Sequence, residues 1–101
     1  MTFSEAIRAR SLHISESELG VELEDGSRHA VPLSMFPLLA EATAEERAEW
    51  EWIGDGIGIH WPQVDEDISV FSIVHPERTQ PMSPQSVEKL LEQNRRRRAG
   101  A

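Results

Sequence analysis

Apolar side chains fall on every second residue through the first third of the chain. Leu19, Val21 and Leu23 alternate with Gly20, Glu22 and Glu24, which predicts a strand with one buried and one wet face. Asp25-Gly26 follows directly, and because glycine accepts a positive φ the pair predicts a hairpin turn. Ala30-Val31-Pro32-Leu33 then reads as the return strand. Pro32 has no N–H, so it belongs at the strand's end or on an edge. Upstream, Leu12 and Ile14 alternate with Ser11, His13 and Ser15. This is a third strand, joined through the polar turn at 15–18.

The period changes after Leu33. Residues 34–42, carrying Phe36, Leu38 and Leu39, read as a short helix or turn with Ser34 as its N-cap. Thr43 and Glu46 have capping-box spacing, which predicts a helix over 44–52 with Trp50 and Ile53 three apart. Gly54, Gly56 and Gly58 end it. Ile57, Ile59 and Trp61 then alternate with Gly58 and His60, a strand that Pro62 closes. After Asp65-Glu66-Asp67 come Ile68, Val70, Phe71, Ile73 and Val74. Their spacing favours a helix over a buried strand, with Asp65 or Asp67 as its cap. The elements make an α+β fold. A small, mostly antiparallel sheet, three N-terminal strands plus the GIHW strand, packs with two or three short helices, and a tail helix follows.

The tail changes the picture. Pro76, Pro81 and Pro84 fall within nine residues and read as a linker. That divides the chain into a domain over 1–75 and a linker with a basic amphipathic helix over 76–101. Ser83-Pro84 is an N-cap with proline at the first helical position. Val87, Leu90 and Leu91 form a narrow apolar stripe, and Arg95, Arg96, Arg97 and Arg98 follow where positive charge suits the helix end. So short a helix is marginal alone in water. The stripe is covered by this chain's own body or a symmetry mate, by a partner's groove, or not at all, and nucleic acid is a further taker for the arginines.

Charge weighs on that choice. The 101 residues carry a net −8. Residues 1–75 hold 4 basic and 15 acidic side chains, and 76–101 hold 6 and 3. So acidic a body repels phosphates, so nucleic acid is expected only through the tail. The absence of cysteine excludes a disulfide scaffold and a thiol nucleophile. No apolar run approaches the ~20 residues of a membrane span. The start, MTFSEAIRAR, lacks a signal peptide's apolar core, so a cytoplasmic location is expected.

Candidate chemistry is sparse. His60, Trp61, Asp65, Glu66 and Asp67 could be read as a metal or acid/base cluster, but the spacing fits neither an EF-hand loop nor a two-histidine zinc helix. A structural role, or a binding surface, is the better reading. Trp50 and Trp52, two apart on a helix, would point in different directions. One of them would then be partly exposed as an interface anchor, unless both pack into the small core. His13 and His29 could sit on neighbouring strands, though nothing fixes them as a ligand pair. The glycines at 54, 56 and 58 lack the Lys-Ser/Thr of a phosphate loop. No catalytic residue, metal or cofactor is expected, and the chain reads as a non-enzyme.

Several of these patterns occur together: Val31-Pro32-Leu33-Ser34-Met35-Phe36-Pro37-Leu38, Gly58-Ile59-His60-Trp61-Pro62 and Asp65-Glu66-Asp67-Ile68-Ser69-Val70. In them the chain resembles the family called domain of unknown function 2442, over about residues 11–75. The resemblance implies a small bacterial α+β domain without an established catalytic activity. Some such relatives precede a helix-turn-helix module, which a single tail helix cannot supply. Others look like partners of a small neighbouring protein, in the manner of a toxin–antitoxin pair. The leading expectation is therefore an antitoxin-like interaction module that binds a small, basic partner protein, with homodimerisation as another form of association. The alternative is a DNA-linked regulator working through the arginine tail.

Overall fold

Leu19, Val21 and Leu23 all turn inward from β2 (Glu18–Leu23) and are buried, as their alternation requires. β1 (Ala9–Ile14) and β3 (Arg28–Pro32) flank that strand, both antiparallel to it. Gly26 takes a φ of 90° in the β2–β3 turn, and the Ser15 N–H donates to the Glu18 carbonyl at 2.9 Å in the other. Pro32 ends β3 on the edge of the sheet. The structure, a computed structural model, describes residues 7–78 and 83–100. The N-terminal lead before Ile7 and linker residues 79–82 lie outside the described residues.

Ser34 does not cap a helix. It sits inside a 3-10 turn, Leu33–Met35, and α1 (Pro37–Glu41) starts on Pro37, whose fixed φ and missing N–H suit a first helical position. The capping box is present in full. Thr43 Oγ1 accepts from the Glu46 N–H at 3.1 Å, and Glu46 Oε1 accepts from the Thr43 N–H at 2.9 Å. However, α2 (Ala44–Ala48) ends before the tryptophans. Trp52 lies instead on β4 (Glu51–Ile53), opposite Ile59 of β5 (Gly58–Trp61). An aromatic residue across from a β-branched one is a favourable strand pair. Trp50 and Trp52 then share a face, with ring centroids 5.0 Å apart in a T-shaped contact, rather than pointing apart as helical neighbours would.

The GIHW strand does not extend the first sheet. It is the centre of a second antiparallel sheet, ordered β4-β5-β6. The apolar run after Asp67 is both of the alternatives that the sequence offered. β6 (Glu66–Ser69) comes first, then α3 (Val70–Val74). Ser69, not an aspartate, caps that helix, its Oγ accepting from the Ser72 N–H at 3.2 Å. α3 packs against strands of both sheets, and the Ala9 N–H donates to the Gly56 carbonyl at 2.8 Å between them. The shared core holds Leu19, Leu33, Leu39, Ile59, Trp61, Val64 and Ile73.

The tail forms a 17-residue helix, α4 (Pro84–Gly100), about 25 Å long. It packs beside α1. No helix among the described residues is long and apolar enough to cross a membrane.

Candidate functional site

Strand alternation divides the expected His-Trp-acid cluster between two faces. His60 and Asp67 are cross-strand neighbours, as are Trp61 and Glu66. His60 and Asp67 meet on the outer face and share a hydrogen bond through the imidazole Nδ1. That bond, which outweighs the opposing desolvation, raises the His60 pKa above its usual value, and the carboxylate's charge adds to it. Trp61 points the other way and is fully buried, its indole N–H donating to the Arg47 carbonyl at 3.1 Å. Asp65 occupies the tight turn between the strands with a φ of 60°, which aspartate tolerates better than most residues. The residues therefore do not converge as a metal or acid/base centre. Among the described residues no group of three or more His, Asp or Glu could hold a metal ion.

Glu66 is the unusual member. Its side chain turns inward and is only 9% exposed. Burial pushes its carboxyl up to about 7, and the charges of Asp67 and Asp65 add to that against a hydrogen bond from the Asp67 N–H. The bond, to Oε1, is 3.0 Å long.

The tail residues are spent largely on the chain's own body. Leu91 is buried, with Val87 and Leu90 half-buried. Buried Asn94 donates through Nδ2 to the Val64 carbonyl at 3.2 Å. Arg95 forms a two-pronged pair with Glu41, both contacts 2.7 Å. Arg97 donates to the Gln63 carbonyl at 2.6 Å, and Arg98 Nε to the Glu46 carboxylate at 3.1 Å. Only Arg96 of the run, its side chain 80% exposed, lacks a contact with the body; it lies 3.9 Å from Glu92 of its own helix. Of the covers that the sequence left open, the structure shows the chain's own body, which Arg95, Arg97 and Arg98 clasp. Sequence periodicity named the stripe correctly but could not say what covered it.

The structure brings together a different set. A groove of about 990 Å³ lies between the 33–37 segment, the end of β4 with its following turn, and β6. Met35, Phe36, Ile53, Ile57 and Ile68 make it mainly apolar, Glu66 places a carboxyl in it, and Val87 of α4 closes one side. Met35 and Ile53, each 37% exposed, are two of the three large apolar side chains left exposed among the described residues. Sequence reasoning passed over both. The available signal was Met35 in a tight turn with Leu33 and Phe36, since three apolar neighbours there cannot all face the core. A shallower concavity of about 490 Å³ lies over Gly20 and Ala30 on the outer face of β1–β3, bordered by His13, Glu22 and Arg28.

A family model described as "Protein of unknown function (DUF2442)" matches residues 9–79. No curated protein matches. The chain is similar to a solved crystal structure, at 2.75 Å, of a protein of unknown function from Rhodospirillum rubrum ATCC 11170. That similarity has a TM-score of 0.60 and 27% sequence identity, and covers 71% of this chain and 89% of the other.

Proposed function

The chain belongs to the DUF2442 family of proteins of unknown function, and we propose that it acts there as a non-catalytic interaction module, docking a small basic protein in the groove beside β6. The observation that carries this reading is the pairing of Met35 and Ile53. Large apolar side chains left in water next to a concave surface are a usual mark of a docking site. The net charge of −8 suits a basic partner, since complementary charge speeds encounter and disfavours wrong partners. An antitoxin-like role, in which docking neutralises the partner, is the biological form of this reading that the family resemblance suggests. The DNA-linked alternative is the weaker one, because Arg95, Arg97 and Arg98 are engaged by Glu41, Gln63 and Glu46.

Copurification of the tagged protein from its native cells, read by mass spectrometry, tests this. A small basic companion should elute in stoichiometric amount. It should be lost with Ile53→Glu and kept with Phe71→Ser, which changes an exposed apolar side chain outside the groove. A companion that survives Ile53→Glu in a variant of unchanged thermal stability would overturn the groove as the docking site.

A further inference from the structure

We propose that the outer edge of β6 receives an extended segment of the partner as an added strand, with a basic side chain beside Glu66 and an apolar one beside Ile68. The proposal rests on the groove reading above and specifies what enters the groove.

Among the described residues β6 is an outer strand of its sheet, paired only with β5. In an antiparallel ladder, hydrogen-bonded pairs alternate with non-bonded ones. The Val70 N–H donates to the Ile57 carbonyl at 2.9 Å just beyond the ladder. The bonded pairs are therefore Ile68 with Ile59 and Glu66 with Trp61. The main-chain groups of Asp67 and Ser69 must then face away from β5. All four residues of β6 line the groove, so the groove runs along that outward edge.

Two side chains of the described residues bond to these outward groups. Glu66 Oε1 accepts from the outward Asp67 N–H at 3.0 Å, and the Ser72 hydroxyl donates to the outward Ser69 carbonyl at 2.7 Å. An inward-turned charged residue is one of the ways by which an open strand edge is kept from unwanted pairing. Here the blocking groups are side chains rather than a bulge or a proline, so an incoming main chain can replace them.

Charge selects the segment. Among the described residues Glu66 has no cationic partner, and the neighbouring charges acting on it are those of Asp67 and Asp65. A lysine or arginine at this end would meet an acidic surface. Next along the inward face of β6 is Ile68, which also lines the groove, whereas Ile53 is in register with Gly58 and Ser69 and lines it from the outer face. Side chains on one face of a strand are two residues apart. The segment that fits is therefore basic–any–apolar, about four residues long to match β6, bound by main-chain bonds with the two side chains giving specificity.

A random-peptide phage library panned against the full chain, followed by anisotropy titration of the enriched peptide, tests this. The basic–any–apolar pattern should be enriched. N-methylation on alternate residues should weaken binding about tenfold or more in the register that faces β6 and change little in the other, as expected for loss of main-chain bonds. Glu66→Gln should also weaken binding about tenfold, and Ile53→Glu should abolish it. No enrichment of the pattern, or equal affinity for both N-methyl registers, would overturn strand addition. Loss of binding in Ile53→Glu alone, with no register effect, would sink strand addition and leave the groove standing. Peptides indifferent to Ile53→Glu would remove the groove itself.

Discussion

Replacing Glu66 with glutamine should remove a pH dependence that is built into the fold. The folded protein holds the Glu66 proton up to about pH 7, whereas an unhindered glutamate releases it near 4.5. Between those values the unfolded chain binds fewer protons than the folded one at this site. The contribution of Glu66 to stability therefore falls as pH rises through the window and levels off above about 7. The full gap corresponds to roughly 3 kcal/mol, and water reaching the carboxyl through the groove reduces it to about 2. Glutamine keeps an oxygen for the Asp67 N–H and carries no charge. Wild type and Glu66→Gln should be nearly equal in stability at about pH 4, where Glu66 is protonated in the folded and largely protonated in the unfolded chain. At about pH 8 the variant should be more stable by about 2 kcal/mol. Urea unfolding at several pH values reads this directly, with unchanged m-values as the check that only stability moved. A difference between the two proteins that stays constant from acid to alkaline pH would refute the assignment of Glu66 as the strained group.

Three other perturbations bear on the fold and the clasp. Gly56→Ala should lower stability by about 2–4 kcal/mol in a thermal melt, because Gly56 has a φ of 97° and an added Cβ would lie 2.3 Å from the Ala9 carbonyl oxygen. Arg98→Ala should speed hydrogen exchange throughout α4 and cost about 1–2 kcal/mol, since it strips a partner from the buried Glu46 carboxylate; Arg96→Ala should leave α4 exchange unchanged. Asp67→Asn should bring the His60 pKa, raised first of all by its hydrogen bond to that carboxylate, back towards the value of free imidazole, as followed by NMR titration.

How far the sequence could be read depended on whether the determinants were local. The β2 strand, the Asp25-Gly26 turn and the Thr43–Glu46 capping box were legible, because each depends on residues within a few positions of one another. The second sheet was not. Whether Gly58–Trp61 joins β3 or founds a new sheet is settled by distant partners, and Trp50 and Ile53 keep helical spacing even though pairing with β5 draws Glu51–Ile53 into a strand. Ser69 was overlooked as a cap because the aspartates before it are equally good capping residues, and β6 ends only where Ser69 stands. In the candidate site, the tail stripe was visible but its cover was not. Glu41, Glu46 and Gln63, which hold the arginines, are 34–54 residues away in sequence. The groove was hidden for the same reason, since its walls come from the 33–37 turn, β4, β6 and α4.

Amide hydrogen exchange of the protein, alone and with its copurified companion, tests the docking groove most directly. Protection is expected over 33–37, 53–58 and 66–69, with the outward amides of Asp67 and Ser69 slowed most. Protection confined to α4 or to the outer face of β1–β3, with those three segments unchanged, would contradict docking beside β6.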